Sequence, residues 1–192
     1  MTDVDRSAAP RSDIRALVAD HVVTSPVEAT AKERFLAEFD RLGDPTNEHA
    51  DPTHVTASAI VVGTRGTVLH LHKRLARWMQ PGGHIDPGET PPEAARREAI
   101  EELGLAVAHP EGGPRLINID VHEAALGHTH LDLRYFVVGP AEDPHPPEGE
   151  SPDARWYDWE EATSMADDAL APALVIARAH WEALPNGGHD DE

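Results

Sequence analysis

Three glutamates, Glu98, Glu101 and Glu102, stand at i, i+3 and i+4 of a stretch with helical periodicity. At ~3.6 residues per turn their side chains fall within an arc of about 100°. Like charges placed this way repel, and each pair destabilises an isolated helix by roughly 0.2–0.5 kcal/mol. The pattern therefore calls for a positive counterpart. Oxygen-only donors on a rigid element suit Mg²⁺ or Mn²⁺, which bind through a few carboxylates together with substrate phosphates. Taken alone, acids at this spacing are more often a solvated helix face, so the elements that carry them have to decide between the two readings.

The helix has a strong start. Thr90 can cap, Pro91 suits the first helical position and Glu93 completes a capping box. The face opposite the glutamates carries Ala95, Ala99, Ile100 and Leu103, apolar and partly small, so the helix can press closely onto a sheet. A glycine loop, Pro81-Gly82-Gly83, leads in. The stretch Gly83 to Leu105 satisfies G-x5-E-x7-R-E-U-x-E-E-x-G-U, with U apolar, through Gly83, Glu89, Arg97, Glu98, Ala99, Glu101, Glu102, Gly104 and Leu105. Average residue usage puts chance agreement on the order of 10⁻⁹ per starting position.

This stretch resembles the Nudix box of the Nudix hydrolases. The resemblance implies an α/β/α sandwich with a mixed sheet, and metal-dependent cleavage of a nucleoside diphosphate linked to another moiety. It implies that Glu98 and Glu102 bind Mg²⁺ or Mn²⁺, that Glu101 binds metal or helps activate water, and that the Gly83 carbonyl is a further ligand. Glu89 and Arg97 would form a supporting ion pair; Arg97 as a phosphate clamp is the rival reading. A bound metal would neutralise the pyrophosphate oxygens and lower the pKa of coordinated water, and Glu101 is the candidate base. The strand pattern extends the likeness from about Thr53 to Leu184.

Around this centre the chain alternates like a sheet. THVTASAIVVG from Thr53 and VLHLHK from Val68 read as a hairpin; LINIDVHEAAL and HLDLRYFVV read as two more strands, and RWYDW as a short last one. A short strand is expected over LAVAH after Gly104, and an open loop from Met79 to Gly83. His70 and His72 share one strand face, Asn118, Asp120 and His122 another, and His130, Asp132 and Arg134 a third. If these faces converge on the central helix they form a polar pocket wall. The expected substrate contacts are His84, Arg134, Asp132, His130 and Arg77. His122, His128 and His130 could instead gather a softer metal such as zinc. Trp156 reads as core.

The chain of 192 residues fits one domain with a full hydrophobic core. Residues 1–11 are expected as a disordered lead and 185–192 as a disordered tail, with two N-terminal helices over 12–52, the first capped at Ser12 and the second after Pro26, before a core over 53–184. Those helices either cover the sheet or form a homodimer interface. Helices are also expected near Glu160 to Met165 and from about Asp168 to Leu184. There is no cysteine, which excludes disulfides, thiolate metal sites and cysteine nucleophiles. A formal net charge of -19 argues against long nucleic acids as partners. No apolar run approaches the roughly 20 residues of a membrane span, and no apolar segment at the start resembles a secretory signal, so a cytoplasmic location is expected.

The functional expectation is a pyrophosphohydrolase acting on a small nucleotide such as ADP-ribose. The alternatives are a pyrophosphatase that removes modified nucleoside triphosphates and a nucleotide-binding regulatory module without catalysis. The acidic trio argues against the module, which needs none. A diphosphate-ester isomerase on the same fold would need its own acid–base pair, and no cysteine is available for it.

Overall fold

The longest strand explains the layering. β1, Thr53–Gly63, is buried at every position, which requires cover on both faces. Its odd positions, Val55, Ala57, Ala59 and Val61, join one apolar cluster, and Ile60 and Val62 join a second. The even positions nearer its start, His54, Thr56 and Ser58, are buried but polar. One face of the strand is thus apolar from Val55 onward, while the other changes character half way along.

The computed structural model describes residues 11–185; the expected lead and tail lie outside the described residues apart from Arg11 and Pro185. β2 (Gly66–His72), β3 (Arg77–Met79), β4 (Gly82–His84), β5 (Arg115–Glu123), β6 (Thr129–Val138) and β7 (Ala154–Tyr157) complete a mixed seven-stranded sheet with the order β3-β2-β1-β6-β5. β6 runs parallel to β1 over its whole length, from Thr53↔Thr129 to Val62↔Val138. On its other side β1 is shared: its end pairs with β2 and its beginning with β4. The loop expected at Met79–Gly83 is therefore largely strand, because the first half of β1 has an edge that only β4 satisfies.

Helix α3, Pro91–Leu103, covers the apolar face. Its Ala94, Ala95, Ala99 and Leu103 are fully buried in the same cluster as Ala57 and Ala59, and small residues on both sides let helix and sheet approach closely. Glu93 accepts from the Thr90 N–H at 2.9 Å and closes the expected capping box. Gly104 ends the helix at φ 65°, where a Cβ would meet the His145 carbonyl at 2.0 Å. The opposite face is covered in its apolar half by α4 (Trp159–Met165) and α5 (Leu170–Glu182), through Ala162, Leu170, Ala173, Leu174 and Ala177.

The N-terminal helices are α1 (Arg11–Asp20) and α2 (Pro26–Arg41). α1 begins at Arg11, so Ser12 lies inside it rather than at its cap. Phe35 and Phe39 of α2 are fully buried in the cluster beneath α3. Glu28, 2% exposed, accepts from the Ile119 N–H of β5 at 3.2 Å, so α2 closes the sheet's outer edge. Burial pushes the Glu28 carboxyl up, but bonds from His21 and Thr24 outweigh it and hold the group below its ordinary range. The strand expected over LAVAH reduces to one bridge, Ala108 to Val138. Leu105 and Val107 turn into the core instead, and Pro110 has no N–H with which to continue a ladder. Trp156 is core, 8% exposed, with its Nε1–H donating to the Glu142 carbonyl at 2.8 Å.

Candidate functional site

Strand alternation in β4 sets two sites back to back. Gly83 turns towards α3; His84 turns to the other face of the sheet. At Gly83 the helix carboxylate lies so close that an added Cβ would meet Glu98 Oε1 at 2.6 Å. The neighbouring Gly82 N–H donates to Glu102 Oε2 at 2.9 Å. Glycine is needed here because backbone and carboxylate share the space a side chain would occupy.

Burial pushes Glu98 up from its ordinary value; the charges of Glu101 and Glu89 add to this, while Arg97 opposes it. Glu102 is pushed up further, to about 8, by burial first and then by Glu98, Glu150 and Glu101, against the bond from Gly82. Glu101 is the most exposed of the trio, at 58% of its side chain. Arg97 ties the cluster to the loop. It donates to Glu89 (3.0 Å), Glu98 (2.8 Å), Glu101 (3.1 Å) and the His84 carbonyl (2.9 Å). The Glu89–Arg97 pair is thus formed, and its surroundings hold the guanidinium charged. His70 lies beside Glu102, Nε2 to Oε2 3.9 Å, and burial lowers it to about 4.

The other polar strand residues do not converge on α3. They occupy the polar half of the opposite face. Arg134, 3% exposed, donates to Asn118 Oδ1 (3.1 Å), Asp120 Oδ2 (2.7 Å) and the Ala169 carbonyl (2.7 Å), with Asp132 Oδ2 3.4 Å from its Nε. Thr56 and Ser58 donate to the two oxygens of Asp132, at 3.0 and 2.6 Å. Burial pushes Asp120 up, but the Arg134 charge and the His122 bond outweigh it and bring it to about 2. Burial pulls His122 down, and its bond to Asp120 at 2.9 Å more than reverses this. The faces separate because β5, β6 and β1 place their even-numbered residues away from the helix.

Of the expected substrate contacts, His84 and His130 face each other, ring centroids 5.4 Å apart. Asp132 and Arg134 are buried partners in the wall behind them. Arg77 sits at the sheet's edge and pairs with Asp167 at 2.5 Å. The grouping expected of His122, His128 and His130 is replaced by His54, His84 and His130, whose potential ligand atoms lie within 4.8 Å of one another. His122 is held instead by Asp120, and His128 packs its ring at 5.3 Å from that of His54. His54 opens the polar alternation His54, Thr56, Ser58, but only the β1–β6 pairing, which the sequence does not reveal, sets it beside His130.

The chain matches the NUDIX domain family over residues 52–190. It is 31% identical over 88 residues to an uncharacterised Nudix hydrolase from Rhodococcus erythropolis, covering 38% of this chain and 48% of that protein. It is 27% identical over 154 residues to an isopentenyl-diphosphate delta-isomerase from Brevibacterium linens, covering 71% and 85%. It is 34% identical over 64 residues to an RNA pyrophosphohydrolase from Erythrobacter litoralis, covering 31% and 39%. The match thus spans less than half the length of the first and third of these relatives. Among solved structures, a NUDIX-family hydrolase from Clostridium perfringens is 31% identical with TM-score 0.54, over 65% of this chain and 93% of that one. A C. elegans Ap4A hydrolase shares the fold at 20% identity and TM-score 0.57, over 68% and 98%. No helix among the described residues is long and apolar enough to cross a membrane.

Proposed function

The chain belongs to the Nudix family, whose hydrolases act on phosphoric anhydride bonds, and on that premise we propose a Mg²⁺- or Mn²⁺-dependent pyrophosphohydrolase that cleaves the diphosphate link of a small nucleoside diphosphate derivative such as ADP-ribose. The observation that carries this reading is the pair Glu98 and Glu102, largely buried beside the glycine loop with both carboxyls pushed above their ordinary range. Buried carboxylates are stable as anions only beside a cation, and an all-oxygen donor set of Glu98, Glu101, Glu102 and the Gly83 carbonyl fits a hard divalent ion. Bound there, Mg²⁺ or Mn²⁺ supplies neutralisation of phosphate oxygens and acidification of water near pH 7.

The chain's own residues do the rest. Arg97 orients Glu98 and, through Glu89 and the His84 carbonyl, fixes the loop against the helix. Glu101, the exposed member of the trio, is placed to take a proton from the attacking water. Cleavage products would be separated by chromatography, with and without Mg²⁺, for ADP-ribose, NADH, dinucleoside polyphosphates, modified nucleoside triphosphates and 5′-triphosphorylated RNA. Isomerisation of isopentenyl diphosphate would be assayed alongside. Mg²⁺-dependent release of a mononucleotide from ADP-ribose or a close analogue is expected. Isomerisation without hydrolysis, or no turnover at all, would overturn the reading in favour of the isomerase or of a binding module.

A further inference from the structure

We propose that His54, His84 and His130 form a second metal site, a three-imidazole site for a borderline divalent transition metal of the zinc class, distinct from the carboxylate platform on α3. The three residues come from adjacent strands: His54 and His130 are register partners across β1 and β6, and His84 sits opposite Thr56 on β4. Their ring centroids form a nearly equilateral triangle of 5.0, 5.1 and 5.4 Å. The potential ligand atoms, all within 4.8 Å of one another, need to close by up to about 1.4 Å to reach the ~3.4 Å spacing of nitrogens held about 2.1 Å from one tetrahedral ion. Small rotations of three side chains would achieve this.

The outer nitrogens of His54 and His84 are already placed as a metal-binding histidine requires. The Nδ1 of His54 lies 3.2 Å from the Asp51 carbonyl, and that of His84 lies 3.0 Å from Glu48 Oε2. A carbonyl or carboxylate on one ring nitrogen fixes the tautomer and directs the other nitrogen's lone pair to the ion. For His54 that other atom, Nε2, is fully buried and has no hydrogen-bond partner. A buried ring nitrogen without a partner is costly, and a Lewis acid held between the three rings removes that cost for His54. Imidazole nitrogen selects zinc-class ions over Mg²⁺, which prefers oxygen, so the two sites take different metals. His84 keeps 39% of its side chain exposed, which leaves a coordination position open to solvent beside the loop that also carries Gly83. Metal bound there would clamp β4 to β1 and β6.

Co²⁺ serves as the optical probe, since a nitrogen-rich four-coordinate site absorbs visible light strongly and an oxygen-rich six-coordinate one only weakly. Chelator-stripped full-length protein would be titrated with Co²⁺ and then with Zn²⁺. One equivalent of intense Co²⁺ absorption is expected, displaced by Zn²⁺, retained in the Glu98→Gln, Glu102→Gln double variant and lost in His84→Ala and His130→Ala. His84 is partly exposed, so His84→Ala keeps the test open should His130→Ala fail to fold. Zn²⁺ at about 100-fold excess over Kd should raise Tm by about 5 to 10 °C in the wild type and leave His84→Ala unchanged, and Glu48→Ala should weaken binding about 10- to 100-fold. A wild type without the intense band, or a band lost in the carboxylate variant and kept in both histidine variants, would overturn the site.

Discussion

Two groups of buried and largely buried carboxylates lie against opposite faces of the sheet, and they meet the cost of burial in opposite ways. Asp120 and Asp132 are compensated within the protein: Arg134 is buried between them, and Asp120 falls to about 2. Glu98 and Glu102 are under-compensated. Arg97 reaches Glu98, no arginine or lysine ion pair reaches Glu102 among the described residues, and Glu102 rises to about 8. A buried charge that is fully paired is structural; one left waiting belongs to a ligand. The contrast separates scaffold from site more sharply than sequence spacing does, since Asp120, Asp132 and Arg134 alternate as plausibly as any active-site strand.

Exchanging the character of the two groups would break the contrast most directly. Glu102→Gln should lower turnover by about a thousandfold or more, the several kcal/mol expected when a metal ligand is removed from a site that depends on the ion. Far-UV circular dichroism should be unchanged, and wild-type turnover would end the assignment. Arg134→Met should do the reverse. It leaves Asp120 and Asp132 buried without their cation, at a cost of about 3–5 kcal/mol, which for a chain of this size lowers Tm by roughly 6–20 °C. Should Arg134→Met spare stability but abolish activity, Arg134 belongs to the site and not to the scaffold.

The pH dependence of the metal-free protein should carry both signs. Glu102 holds its proton more tightly folded (about 8) than unfolded (4.5), so its contribution is fully present below about pH 4.5 and is lost as pH rises to about 8. The loss should be at most on the order of 5 kcal/mol, and either Glu102→Gln or saturating Mg²⁺ should flatten it. Asp120 is depressed from 3.8 to about 2; its contribution is present above 3.8 and disappears as pH falls through 2. Tm measured from pH 2 to 9 with and without Mg²⁺ separates the two. His70, lowered to about 4, adds stability as pH rises towards 6.5, so the decisive reading is the difference between proteins: a metal-free Glu102→Gln Tm that tracks the wild type's from pH 5 to 8 would contradict the account of Glu102.

Much of the α3 face is legible in the sequence because its information is local. Thr90, Glu93, Glu98, Glu101, Glu102 and Gly104 lie on one helix and its caps, so spacing alone fixes their relative directions. The opposite face depends on pairing between distant segments. That His54 meets His130, 76 positions apart, and that β4 rather than β2 flanks the start of β1, follow from sheet register, which periodicity does not specify. The same limit explains Arg134: alternation puts it on the face of Asp132 and Asn118 but is silent about whether that face meets a ligand or a helix.

The smallest test asks how much of the α3 platform is held by its cap instead of by its packing. Thr90→Ala removes one partner of the Glu93 carboxylate and should cost about 1 kcal/mol, or roughly 2–4 °C in Tm. The catalytic rate should barely change. Glu98 and Glu102 are set two and three turns further on, and their positions are fixed by Ala95, Ala99 and Leu103 against the sheet and by Arg97 against the loop. A large loss of turnover at unchanged Tm would mean that the first turn of α3 governs carboxylate placement, and the division between a packed scaffold and a waiting charge would then have to be redrawn within the helix itself.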